Sequence, residues 1–374
     1  MIYLDSAATS FLKPQSVSRA VAAALSSMAS PGRGAYRAAM LAADKVFECR
    51  TLVARLFNVP EPERVVFTMN ATHGLNIAIR SLAGSGSRVL VSGYEHNSVT
   101  RVVNAIGAQM LCASSPLFDQ DAAAEAFAER INQADLVVCN QVSNVFGFIL
   151  PVERIAKLCK ERSVPLIVDA SQSAGVRNVD FQRLGAAFIA MPGHKGLLGP
   201  QGTGVLLCAD GAKPLLAGGT GSDSKLQNMP DYLPDRLEAG THNVPGISGL
   251  AEGVRFVLGR GAETIGAHES RLCGVMASKL RRIEGMEVFS SGNGTQSGVL
   301  SVRHAAMDAE ALCSSLSRAG IAARCGFHCA PLAHQTAGTD DTGTVRFSFS
   351  PFTSENDVIS AARACEKIIR SQNS

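Results

Sequence analysis

Four short apolar runs, at 88–92, 134–139, 165–169 and 186–190, are separated by stretches of helical periodicity, and this alternation narrows the possible folds more than anything else in the chain. The run Arg88-Val89-Leu90-Val91-Ser92 and its three counterparts are apolar at successive positions rather than alternate ones, as strands covered on both faces are. Helices are expected between them at 98–106, 122–130 and 152–161. Strands alternating with helices predict an α/β domain around a mainly parallel sheet. The strand at 64–68 leads into a helix opened by Asn70-Ala71-Thr72-His73, and 202–208 reads as a returning strand. Upstream, helices are expected at 16–27 and 35–57, separated by Ser30-Pro31-Gly32-Arg33-Gly34. Downstream, residues 218–246 lack periodicity and read as a long surface excursion. One helical stretch over 247–283 then connects to strands at 299–303 and 344–349 and helices at 309–318 and 354–369, a second unit of α+β character.

Ligands of open α/β sheets bind beyond the carboxyl ends of the strands. The loops there carry Glu95-His96-Asn97, Gln141-Val142-Ser143-Asn144, Asp169 to Gln172, and Gly193-His194-Lys195-Gly196. A lysine shielded from water has an accessible neutral amine that can form a Schiff base with a carbonyl cofactor. An aspartate can pair with a pyridinium nitrogen and keep it protonated. Lys195 and Asp169 together therefore suit pyridoxal phosphate, with His96 laid over the ring and Asn144 and Gln172 near its phenolic oxygen. The helix beginning near Thr72 offers free N–H groups to a phosphate. Taken singly, each has a blander reading: a solvated lysine, an N-cap aspartate, an ordinary Asn70 or Thr72 cap. A P-loop is excluded, because its lysine closes the glycine run, whereas Lys195 precedes most of the glycines.

At 374 residues the chain exceeds a comfortable single core. A net charge of +3, with 18% charged and 46% hydrophobic residues, fits a compact protein and gives no basic stripe for nucleic acid. No run reaches membrane-spanning length, and no secretory signal precedes Tyr3, so the cytoplasm is expected. The ten cysteines lack metal-ligand spacing, and no metal site is expected.

The ordered set Tyr3-Leu4-Asp5-Ser6-Ala7-Ala8-Thr9, Glu95-His96, Val142-Ser143-Asn144, Val168-Asp169-Ala170-Ser171-Gln172, Gly193-His194-Lys195, Arg236-Leu237-Glu238-Ala239-Gly240-Thr241 and Arg324-Cys325-Gly326-Phe327-His328-Cys329-Ala330 resembles the class V aminotransferase family, in its cysteine desulfurase and selenocysteine lyase branch, short-loop group. The resemblance implies a fold-type I pyridoxal phosphate enzyme. Its large cofactor domain, at 15–246, is built on a seven-stranded sheet, and its smaller domain joins 1–14 to 247–374. By the same resemblance Lys195 holds the cofactor, Asp169 pairs with the ring nitrogen, and His96 stacks on the ring. Gln172 and Asn144 lie near the phenolic oxygen and the substrate. Ala71, Thr72 and His194 face the phosphate, as does Thr241 from a partner subunit, so a homodimer is implied. Cys329 takes the substrate's sulfur as a persulfide, and Arg346 with Arg324 clamps the substrate carboxylate.

The implied reaction is conversion of L-cysteine to L-alanine, with an acceptor protein as a further expected partner; L-selenocysteine is a second candidate substrate. The same residues also allow a transaminase or epimerase in which Cys329 is incidental, or a non-catalytic subunit that docks a sulfur carrier. Three departures from the pattern point to a subfamily. Pro192 replaces a frequent serine or threonine, Ala71 a frequent threonine and Gln141 a frequent histidine, while Cys325 adds a thiol four residues before Cys329.

Overall fold

The computed structural model describes residues 1–32 and 34–371; Arg33, in the expected helix break, and 372–374 lie outside. Seven strands form the large sheet in the order Val65–Thr68, Gly204–Cys208, Phe188–Pro192, Leu166–Asp169, Leu136–Asn140, Arg88–Ser92, Gln109–Ala113. Only Gly204–Cys208 runs against its neighbours, since it returns directly from Pro192, whose register partner is Gly204. The architecture is the expected mainly parallel α/β sheet. Register places Asn140 opposite Asp169 and Asp169 opposite Ala190, so the chemistry-bearing loops leave the sheet at one level. The edge strand Gln109–Ala113 is absent from the expected set; with Gln109 and Met110 exposed, it lacks the doubly buried pattern of the interior strands.

The single helical stretch expected over 247–283 is two helices, Val244–Arg260 and Ala262–Leu280. They meet at Gly261, whose φ of 84° lies where side-chain-bearing residues rarely go. Beyond them lies a four-stranded antiparallel sheet in the order Arg324–Gly326, Thr344–Ser348, Val299–His304, Met286–Phe289. It covers a core of Leu272, Met276, Leu300, Phe347 and Val358. Leu4 belongs to that core because the first residues reach across the chain: Ile2–Tyr3 pairs in parallel with Ile321–Ala322, and Asp5 bridges to Ser348. Among the described residues no helix is long and apolar enough to cross a membrane.

Glu238, in the 236–241 motif, is buried and fastens that segment to the large sheet. Arg50 grips both its oxygens at 2.9 Å, and the Phe67 N–H donates to it at 2.6 Å. Arg50→Met removes the arginine from this buried carboxylate, leaving it only the Phe67 N–H and His242 Nε2 at 3.2 Å, and is expected to cost about 3 kcal/mol. Adding Glu238→Leu should recover much of the loss in urea unfolding; equal stability of the single variant and the parent would refute the pair's role.

Candidate active site

Five strand ends deliver their loops to one cavity, whose lining includes Thr72, His96, Asn144, Asp169, Gln172, His194 and Lys195. Ala71 and Pro192 line it too, so the backbone around them, not a hydroxyl, faces the space. The lysine loop is held where only glycine fits. A Cβ on Gly193 would stand 2.2 Å from Thr203 Oγ1, and one on Gly196 2.3 Å from the Ala174 carbonyl. The loop is also tied to the start of the chain, because the His194 carbonyl accepts from Ser10 N–H and Oγ, both at 2.9 Å.

Burial lowers the Lys195 pKa to about 8; Asp169 opposes the shift, while Arg346 and Arg324 add to it. The neutral fraction of Lys195 therefore rises with pH through about 8, roughly two units below an ordinary lysine. Acylation of Lys195 in the cofactor-free protein, followed by peptide mass spectrometry, should show that midpoint. A midpoint near that of the surface lysines would contradict it.

Asp169 is buried, which raises its pKa, and its Oδ1 accepts the Ser171 N–H at 2.8 Å. His96 Nδ1 accepts the Ser98 N–H at 3.0 Å, which puts the ring proton on Nε2. Burial, then the charges of Lys195 and Arg324, push His96 down to about 4, so it is a neutral ring at physiological pH. Burial also brings His194 to about 4, with its Nδ1 3.0 Å from Thr9 Oγ1. Gln172 is fixed by donation to the Ala7 carbonyl at 3.0 Å.

Cys329 reaches this region from the other sheet. His328 and Cys329 both hold left-handed backbone, with φ of 49° and 57°. Asn144 Nδ2 donates to the His328 carbonyl at 2.8 Å, and the Asn97 N–H to the Cys329 carbonyl, also at 2.8 Å. The thiol stays exposed, 3.8 Å from Arg324 Nη2. Arg324 and Arg346 are cross-strand register partners. Arg346 is 1% exposed; its Nη1 donates to the Asn144 carbonyl at 2.9 Å and its Nη2 to Asp5 Oδ1 at 2.8 Å, leaving Nε without a partner.

A family model described as Aminotransferase class-V matches residues 2–360 of the sequence. The chain belongs to the class V aminotransferase family. A probable cysteine desulfurase of Pyrococcus abyssi is 32% identical, covering 100% of this chain and 96% of its own length. One from Methanothermobacter thermautotrophicus is 31% identical, covering 98% and 94%. Among solved structures of this family, the apo cysteine desulfurase of Thermococcus onnurineus NA1 superposes with a TM-score of 0.90 at 30% identity, covering 99% of this chain and 95% of its own. A cysteine desulfurase of Escherichia coli gives 0.84 at 26% identity, covering 99% and 94%.

Of the residues expected in a class V site, Arg324, Cys329 and Arg346 lie outside the lining of this cavity, on the other sheet and the loop beside it, and Thr241 stands apart from both. It lines a separate groove with Met69, His73 and Leu216, not the cavity holding its own chain's Lys195. Two groups carry more than their sequence positions suggest. Asp5 stands in the sequence only as part of a motif, yet it is the counter-charge of Arg346, 341 positions away. Glu95, fully buried, takes Ser92 Oγ at 2.6 Å and the Asn140 N–H at 2.8 Å, and burial pushes it up to about 8. The only signal for it in the sequence is its place beside His96 at a strand end.

Proposed function

We propose that this protein is a pyridoxal phosphate-dependent cysteine desulfurase that converts L-cysteine to L-alanine and receives the sulfur on Cys329. The observation carrying this reading is an exposed thiol beside Arg324, on a segment whose backbone carbonyls accept from Asn97 and from Asn144, a residue that itself lines the cavity with Lys195 and Asp169. The residues present suit the cofactor. Asn144 Oδ1 lines the cavity, buried and without a partner, and the first N–H groups of helix Ala71–Leu82 have no intrahelical acceptors. Lys195, Asp169 and Gln172 would hold its aldehyde carbon, ring nitrogen and phenolic oxygen. Ala71, Thr72 and His194 would receive its phosphate. When bound, the ring supplies an electron sink that makes a proton on the amino-acid α-carbon labile.

The chain's own groups divide the remaining work. Lys195, neutral above its lowered pKa, accepts the α-proton and returns a proton to the product. Asp169 would pair with the ring nitrogen and favour its protonated form. His96, neutral, would cover the ring without adding charge. Arg346 receives the substrate carboxylate, and Arg324 lies 3.8 Å from the Cys329 sulfur, which reacts as the thiolate. That thiolate attacks the substrate's sulfur. An S–S bond forms as the C–S bond breaks, the electron pair stays with the carbon, and protonation there gives alanine.

The groove containing Thr241, bordered by exposed Met69 and Leu216, supports a homodimer in which each subunit completes its partner's phosphate site. The joining of 1–14 to the second unit is supported by Leu4 lying in its core, whereas Ile247, Leu250 and Val254 pack in the core of the large sheet and favour a boundary nearer Gly261. Ten free cysteines suit a reducing cytoplasm, where an acceptor protein would take the sulfur from Cys329.

The test is release of alanine with sulfide or selenide, side by side, from cysteine and selenocysteine, with and without a thiol reductant. Stoichiometric alanine from cysteine supports desulfuration. Activity confined to selenocysteine makes the protein a lyase, and amino transfer to a keto acid makes it a transaminase. Failure to bind pyridoxal phosphate while folded would leave the docking-subunit reading.

A further inference from the structure

Arg324 and Cys325 are neighbours on the strand Arg324–Gly326, and successive strand side chains leave from opposite faces. Arg324 turns toward Cys329. Cys325 packs against the second core, alongside Cys313 from helix Ala309–Arg318. The two thiols are neighbours, close enough for Cys325 to raise the Cys313 pKa. Cys313 Sγ also donates to the carbonyl of Ala323, two residues before Cys325, at 3.3 Å. Both side chains are half-buried, so a small reagent reaches them; Cys139 and Cys159, also near each other, are buried.

We propose that Cys313 and Cys325 form a redox site, a dithiol that low-molecular-weight disulfides oxidise to an intramolecular disulfide tying the Arg324 strand to the helix behind it. This inference does not rest on the proposed activity. Burial and the neighbouring thiol push Cys313 up to about 12, so the first attack falls to Cys325. The Cys325 thiolate attacks the reagent's S–S bond and releases one reagent thiol, leaving a mixed disulfide. Cys313 then attacks the Cys325 sulfur and expels the second reagent thiol. Two protein thiols are oxidised, one reagent disulfide is reduced, and both protons end on the released thiols. Because the two residues are neighbours in the fold, the second step is intramolecular, which offsets the poor ionisation of Cys313. The pairing also answers what Cys325 does in the Arg-x-Gly-x-His-Cys stretch: it faces away from Cys329.

The test uses the full chain carrying Cys329→Ser, because trypsin leaves Cys325 and Cys329 on one peptide, 325–346. After incubation with oxidised glutathione and denaturing alkylation, two thiols should be lost with no glutathione retained. Peptide 304–318 should be joined to 325–346, reversibly by dithiothreitol. In Cys313→Ser/Cys329→Ser the same treatment should leave glutathione on Cys325. Glutathione persisting on Cys325 while Cys313 stays free, or both thiols remaining free, would overturn the proposal. So would a Cys325–Cys329 link as the main product in the unsubstituted chain.

Discussion

Replacing Cys329 by serine is expected to lower alanine release from L-cysteine by roughly 10⁴-fold, the scale seen when a nucleophile is removed. The variant should still fold and take up pyridoxal phosphate. What holds position 329 is backbone: its carbonyl accepts from Asn97, and the carbonyl before it accepts from Asn144. Serine meets the same left-handed φ of 57° at similar cost. Chemistry at sulfur is what changes, since a serine hydroxyl is a far weaker nucleophile toward sulfur than a thiolate. An unaltered cofactor absorbance together with lost alanine would place the defect at sulfur removal. Activity within about tenfold of the parent would remove Cys329 from the reaction.

Lys195→Ala is expected to be the other severe change, losing roughly 10²–10⁴-fold for the missing proton carrier alone. Lys195→Arg should fail comparably, because a guanidinium stays protonated where burial holds the lysine near 8. The two substitutions separate by absorbance. Lys195→Ala alters the spectrum of bound pyridoxal phosphate, whereas Cys329→Ser does not. Steady-state alanine release from Lys195→Ala within about tenfold of the parent would show that another group carries the proton.

What the sequence disclosed follows physical range. Buried parallel strands announce themselves locally through apolar runs such as Leu136-Val137-Val138-Cys139, and the topology then sends Asp169, His96 and Lys195 to one edge. The helix opened by Asn70 was legible because its cap lies in the sequence beside it; Asn70 Oδ1 takes the His73 N–H at 2.9 Å. Short strands of the second sheet were harder. Met286–Phe289 and Arg324–Gly326 are defined by partners far along the chain and are too brief to show a period. The helix break at Gly261 rests on one residue's φ, which periodicity does not register. Arg346 could be assigned to a carboxylate by its resemblance, but that Asp5 already holds one of its nitrogens required three dimensions.

The first residues carry a consequence for the order in which the molecule can be assembled on a ribosome. Every strand of the seven-stranded sheet comes from residues 65–208, so that layer can close while the remainder is still being synthesised. Ile2–Tyr3 must wait for Ile321–Ala322, and Asp5 for Ser348 and Arg346. This segment is thus made before the large sheet and seated after it. A nascent chain stalled before residue 321 would hold Lys195 in its finished loop with no carboxylate clamp to serve it.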